Sequence, residues 1–298
     1  DHRDLHSFPT RRSSDLFLVS LGLFALLVTI RRRLPHINRR QIPFFIFYGL
    51  VLCGFNAVWT LSVPLNGAAV STVLVYGSLG FTILLARWLF HEPTTLAKII
   101  GMVLSLTGCA LVANAFDAAN WSARPFGIVV GLLSGLMFAF YSMAGKEAAN
   151  RRIDSWETMF FTFSFASLFL LGINLVPSMP QAAGSAGQLL PNMPPFGWFL
   201  LVTLAMVPTL LGYGLYNLSM HYLPASVGNL IATLEPPFTA AEAYLLLGEV
   251  MSPIQVGGSL LIIAAVIIVR ASENQRQEAP TFQSTDVPEA KTPPAHGG

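Results

Sequence analysis

Glu235 stands ten residues into the apolar run Ala225 to Leu247 and is followed at once by Pro236 and Pro237. If that run crosses a bilayer, a charge at this depth costs about 2.5 to 3.5 kcal/mol on the gentler insertion scales, so it needs a partner, a cavity or a proton. Gly228, Ala232, Glu235, Thr239 and Glu242 recur at spacings of four, three, four and three. A helix would bring them to one small, polar face. Such a face suits a cavity wall, with Glu235 a candidate for proton coupling or cation attraction and Glu242 a second, more hydrated carboxylate. The structural alternative is that Glu235 caps a helix break imposed by the two prolines.

Residues with polar tips on other runs extend the candidate lining. Thr72 and Tyr76 fall on one face with Gly80 and Arg87, and Asn56 and Trp59 lie on the preceding run. Tyr213, Tyr216 and Asn217 occupy the corresponding place later in the chain. Aromatic side chains that also hydrogen-bond suit selection of a small molecule in a mostly apolar pocket. Packing, or a belt at the membrane interface, is the alternative use. Arg87 is expected to reach the interface and pair near Glu92.

The elements that must position these residues follow from composition. With 53% hydrophobic and 11% charged residues over 298 positions, the chain carries more apolar surface than one water-soluble core can hide. The apolar runs are 17–30, 42–63, 68–90, 96–115, 126–144, 156–176, 196–220, 225–247 and 253–269. Most are long enough to cross a hydrocarbon core of about 30 Å as helices, and none alternates as a barrel strand would. Arg31, Arg32, Arg33, Arg39 and Arg40 crowd one loop and Lys146, Arg151 and Arg152 another, whereas the loop between 114 and 125 offers only Arg124. The positive-inside rule makes the basic loops cytoplasmic and, by alternation, the C-terminal tail with them.

The chain also repeats itself. Sliding residues 68–112 by 157 positions onto 225–269 aligns Ala68 with Ala225, Phe81 and Thr82 with Phe238 and Thr239, Glu92 with Glu249 and Gly101 with Gly258. Duplicated membrane helices are a common plan of secondary transporters. A five-helix unit inserts its two copies in opposite orientations, which the loop charges support: Arg87 and Lys98 flank the first turn, and no basic residue flanks the second. Residues 1–16 read back into codons as a widely used short-read sequencing adapter, so they are expected to be an artefactual leader. On that reading the first copy, 17–115, lacks one helix and begins inside another, the second spans 126–270, and 271–298 form a disordered cytoplasmic tail.

The run from Asn229 to Val269 resembles the end of the repeat of EamA-type transporters in the drug/metabolite transporter superfamily. The matching residues are Leu234, Glu235, Pro236, Leu247, Gly248, Glu249 and Gly258. The first copy keeps Glu92 and Gly101 but has His91 where the family usually has Gly, and Ser78 and Leu79 where it often has a polar-Pro step. The resemblance implies an all-α integral membrane protein of two inverted five-helix repeats, ten helices in the parent and about nine here. It also implies a central cavity and transport of small organic metabolites.

The resulting expectation is a secondary transporter of amino acids, amphiphilic metabolites or drugs by alternating access, proton-linked or by exchange, in a bacterial inner membrane. The other classes are an intramembrane enzyme and a structural or regulatory subunit. HExxH, GxSxG and the phosphate-binding GxxxxGK[ST] are absent from the sequence, so neither zinc, serine nor nucleotide chemistry has a motif. No cofactor is expected. The expected partners are the lipid bilayer and a small-molecule substrate, not nucleic acid. Gly127, Gly131 and Gly135 form overlapping GxxxG steps that suit helix packing within the fold, or else a homodimer or a gate. Cys53 and Cys109, both in apolar runs, read as packing residues.

Overall fold

The computed structural model describes residues 20–25, 27–28, 32, 35–115, 125–174, 196, 199, 203, 209–242, 244–245 and 251–278. The leader, the 177–195 loop, Gly248, Glu249 and the chain after 278 lie outside the described residues. Within them every regular element is helical. Besides helical residues at 20–25 and 27–28 and a short turn of helix at Arg39–Gln41, they are α1 (Ile42–Asn66), α2 (Ala68–Tyr76), α3 (Ser78–Phe90), α4 (Leu96–Val112) and α5 (Pro125–Asn150). Then come α6 (Ser155–Asn174), α7 (Leu210–Ser219), α8 (Ala225–Ala232), α9 (Glu235–Glu242) and α10 (Pro253–Glu278).

Five spans, Arg39–Asn66, Ala68–Phe90, Pro125–Asn150, Ser155–Ile173 and Pro253–Gln275, are long and apolar enough to cross a membrane. Large apolar side chains such as Leu84, Trp88, Leu96 and Leu260 face outward, which suits contact with lipid tails. The protein is an all-α, multi-pass membrane protein.

Local chemistry sets the helix ends. α1 begins with Pro43 in its first turn, where a missing N–H costs nothing, and stops at Gly67, whose φ of 77° lets its N–H return to the Val63 carbonyl. Thr95 caps α4 by accepting from the Lys98 N–H at 3.2 Å, and Ser252, its counterpart in the second copy, accepts from the Gln255 N–H at 3.3 Å. His91 ends α3 with a φ of 55°. A left-handed residue is cheapest as glycine, which explains why glycine is usual at this position of the repeat.

α4 and α10, equivalent helices of the two copies, pack on one another through glycines. A Cβ on Gly101 would meet Val269 at 2.5 Å, and one on Gly258 would come within 3.0 Å of the Val112 nitrogen. Under the 157-residue offset these contacts are the same contact seen from either side. Gly108 sits against Gly258 and Ile262 midway. Rising numbers in α4 therefore meet falling numbers in α10: the equivalent helices run antiparallel, which is the inversion expected of the repeat.

Around this pair, α5 crosses α1, α2 and α3 along its glycine stripe, each glycine too close to Asn66, Leu74 or the Leu74 carbonyl for a side chain. The stripe is thus covered inside the chain. Tyr48, Leu52, Tyr141, Met159 and Phe163 form the largest apolar cluster, where α1, α5 and α6 meet.

Three expectations change. The run 68–90 is one span interrupted at Gly77 by a single tightened turn, with φ of −54° and ψ of −17°, which separates α2 from α3. The run that starts at Ala225 divides at Thr233 and Leu234, so Gly228 and Ala232 do not share a continuous face with Glu235, and Gly228 instead packs on Met220. The C-terminal helix runs to Glu278, past the disorder expected from 271, because Ala, Glu, Gln and Arg sustain a helix and Glu273 is drawn to Lys98, 3.4 Å away.

Candidate functional site

The two breaks are equivalent: Ser78 opens α3 and Glu235 opens α9, 157 positions apart. Their causes differ. Pro236 and Pro237 have no N–H for the carbonyls of Ala232 and Thr233, so the α-helical ladder cannot continue through them. The chain instead tightens, with the Thr233 and Leu234 N–H groups bonding the Leu230 and Ile231 carbonyls at 3.1 and 3.0 Å. At the first break the Gly77 N–H bonds the Leu74 carbonyl at 3.1 Å, and a Cβ on Gly77 would lie 2.9 Å from that oxygen. Gly135 of α5 covers this break: a Cβ there would meet Leu74 O, Val75 O and Ser78 N within 3.1 Å.

The breaks meet across the molecule. The Tyr76 hydroxyl, at the end of α2, donates to Glu235 Oε2 at 3.0 Å. Tyr76 is buried beside Cys109 and Ile262, while Glu235 is exposed and α9 has no buried residue. One step back on α8 to α9, the hydroxyls of Thr233 and Ser105 lie 2.5 Å apart. Next to the first break, Asn229 of α8 donates from Nδ2 to the Thr82 hydroxyl at 2.7 Å and accepts from the Ser78 hydroxyl at 3.4 Å. Each copy's break is therefore tied by polar side chains to the other copy. Protein covers both tightened turns: Gly135 lies over the first, and Thr233 at the second is fully buried against Ser105. Beyond the second turn α9 has no buried residue, so the Glu235 carboxylate at its start is exposed and is suited to hold a cation, an ammonium group or a proton.

The other sequence candidates separate into groups. Thr239 and Glu242 share α9 with Glu235 and are exposed. The Thr72 hydroxyl donates back to the Ala68 carbonyl at 2.8 Å, within its own helix. The Asn56 amide donates to the Leu52 carbonyl at 2.8 Å, and Trp59 packs on the large apolar cluster.

Tyr213, Tyr216 and Asn217 form a second polar centre, away from Glu235, with two residues that the sequence reading passed over, Tyr48 and Tyr141. Asn217 accepts from the Tyr48 hydroxyl at 3.0 Å and donates to the Tyr141 hydroxyl at 2.8 Å and the Tyr213 carbonyl at 2.9 Å. Tyr216 shares a hydrogen bond with Ser142 at 2.7 Å, and Tyr213 stands edge-on to Tyr141 and Phe163. This centre pins α7 to α1 and α5.

Arg87 does not pair with Glu92. Lys98 does, from the first turn of α4, with its Nζ 3.7 Å from the carboxylate. The helix geometry explains it: Arg87 is exposed on α3, whereas the N-terminus of α4 turns Lys98 inward. Asn229, like Tyr48 and Tyr141, was missed as a site residue, and Lys98 was read only as a flanking charge; Lys98 and Asn229 are each a strongly polar group in an otherwise apolar run, the same signal that singled out Glu235. Among the described residues no three His, Cys, Asp or Glu side chains gather to hold a metal ion.

Comparison with known proteins agrees with this architecture. A solved crystal structure shares the fold with a TM-score of 0.69 at 16% identity, over 91% of this chain and 90% of that one. An uncharacterized transporter of Archaeoglobus fulgidus is 24% identical over 83% of this chain and 82% of its own length. The threonine/homoserine exporter of Escherichia coli is 24% identical over 84% of this chain and 77% of its own. A Streptantibioticus cattleyicolor protein named "Probable terminal-alkyne amino-acid exporter" is 26% identical over 78% and 76%. The EamA-like transporter family matches at 14–114 and again at 125–271, one match for each copy of the repeat. With both copies matched and covering most of its length, the chain belongs to the EamA-like transporter family, within the drug/metabolite transporter superfamily.

Proposed function

We propose that this chain is a secondary transporter of small amino compounds, amino acids foremost, working by alternating access and coupled to protons or to exchange at Glu235. The observation that carries the reading is the bond between Tyr76 and Glu235, which joins two equivalent helix breaks around one intramembrane carboxylate. A carboxylate within a membrane span, held by Tyr76 yet accessible on α9, can take up an ammonium group and a proton in turn, which couples the two. The names of the Escherichia coli and Streptantibioticus cattleyicolor relatives support an amino-acid substrate. Thr239 and Glu242, on the same exposed helix, would line the approach, with Tyr76 fixing the carboxylate. The setting is a bacterial inner membrane with the basic loops and the C-terminus cytoplasmic, and the repeats divide between 115 and 126.

The test is reconstitution of the chain in proteoliposomes with a panel of amino acids and an imposed pH gradient. Accumulation of an amino compound that follows the gradient, or that needs counter-substrate, is the expected result. Movement of none of them, with the protein folded, would remove the assignment.

A further inference from the structure

At one end of the bundle, the turn between α3 and α4 reaches across to the other copy of the repeat. Helix α8 follows Pro224 and has no cap from its own chain neighbours. Glu92 supplies one: Oε1 accepts from the Ala225 N–H at 2.8 Å and Oε2 from the Ser226 hydroxyl at 2.7 Å. A carboxylate at a helix N-terminus is favoured by both the free N–H groups and the helix dipole. The preceding helix end is held by the opposite charge, Lys146 Nζ donating to the Met220 and Leu223 carbonyls at 2.9 Å each. The α7–α8 turn is thus clamped by an acid from α3–α4 and a base from α5.

Lys98 completes the cluster. Its Nζ lies 3.7 Å from Glu92 and 3.4 Å from Glu273 of α10, and its side chain is 3% exposed. At those separations it is shared between two carboxylates and hydrogen-bonded to neither. Buried charges so arranged pay desolvation against their attraction and come out near balance, so the cluster is specific in geometry yet cheap to open. Beneath it Ala86, Met143, Met220 and Ala225 close an apolar plug, with Met220 and Ala225 fully buried. The far end of the same helix pair differs: α9, with Glu235, Thr239 and Glu242, buries nothing among the described residues.

We propose that Glu92, Lys98 and Glu273 form a latch that shuts this end of the transporter, and that each transport cycle releases Glu92 from the N-terminus of α8. The proposal rests on the alternating-access reading above. Its content beyond that reading is which residues hold the shut end and which bond must break.

The test uses single-cysteine reporters in the full chain, with Cys53 and Cys109 replaced by Ala, in lipid nanodiscs that expose both faces to a water-soluble maleimide. Met220→Cys reports on the plug and Thr239→Cys on the far end. In the Glu92→Gln background, labelling at position 220 should rise about tenfold, the factor that corresponds to 1.4 kcal/mol, while labelling at 239 falls. Ser226→Ala, which removes one of the two bonds and is gentler on folding, should give a smaller rise of the same sign. Unchanged labelling at 220 in both variants, with thermal unfolding intact, would overturn the latch. A rise at 220 with no change at 239 would keep the latch and overturn alternating access instead.

Discussion

At the first helix break, Gly77 parts α2 from α3 under the glycine stripe of α5; at the second, Pro236 and Pro237 part α8 from α9, where Thr233 is buried against Ser105 of α4 but α9 beyond it has no buried residue. The two occupy equivalent places in a duplicated unit, so the difference between them is divergence on a common scaffold. One break kept its backbone packed and its side chain small, Ser78, which is fully buried. The other carries a carboxylate at the start of a helix, α9, with no buried residue. What the copies share, the α4–α10 glycine crossing and the Thr95 and Ser252 caps, holds the fold; on the function proposed above, Glu235, which they do not share, meets the substrate.

The largest effect expected from this contrast is at Gly135. Valine there would drive branched carbons into three backbone atoms already within 3.1 Å of the Cβ position, and backbone cannot step aside as a side chain can. Overpacking of this kind costs about 3 kcal/mol, at the upper end of its usual range. Gly135→Val should therefore sharply lower the yield and the melting temperature in detergent. Thr239→Val, on the exposed α9, should leave both within about 0.5 kcal/mol of the parent. Equal losses from the two would break the distinction between the packed first break and the exposed α9.

Next in size is the double variant Pro236→Ala, Pro237→Ala. It returns two N–H groups to the Ala232 and Thr233 carbonyls and lets α8 run on into α9. Transport in proteoliposomes should fall about tenfold, corresponding to 1.4 kcal/mol, with the melting temperature unchanged or higher. A straightened helix that still transports at the parent rate would show that the second break is not needed.

Smaller still, Tyr76→Phe deletes one hydrogen bond to Glu235, worth about 1 kcal/mol. Half-saturation should rise about fivefold with the maximal rate little altered, as measured by concentration-dependent uptake. An effect of similar size but confined to stability is expected from Ser105→Ala, which loses the contact to Thr233. Its cost of about 1 kcal/mol should register in thermal unfolding and leave the pH profile of transport unmoved.

Much of this contrast was legible in the residues. The 157-residue offset and the antiparallel relation of the copies follow from pattern, because the repeat and its loop charges fix how the two copies insert; the bond from Tyr76 to Glu235 does not. Pro236 and Pro237 announce the second break. Gly77 does not announce the first: a glycine in an apolar run is tolerated in a straight helix, and only Gly135 on another helix shows why the chain turns there. Likewise Tyr213, Tyr216 and Asn217 look like pocket residues until Tyr48 and Tyr141, from distant segments, are seen to satisfy Asn217. The second partner of Lys98 was hidden for the same reason, since Glu273 belongs to a stretch whose polarity alone suggests disorder.

The claim at the centre is that the asymmetric position, Ser78 in one copy and Glu235 in the other, carries the chemistry. Glu235→Gln keeps the size and the bond from Tyr76 but removes the charge. Measured in proteoliposomes across pH 6 to 8 under an imposed gradient, it should abolish gradient-driven transport while the protein inserts and melts as the parent does. Transport at the parent rate with the same pH dependence would contradict the account.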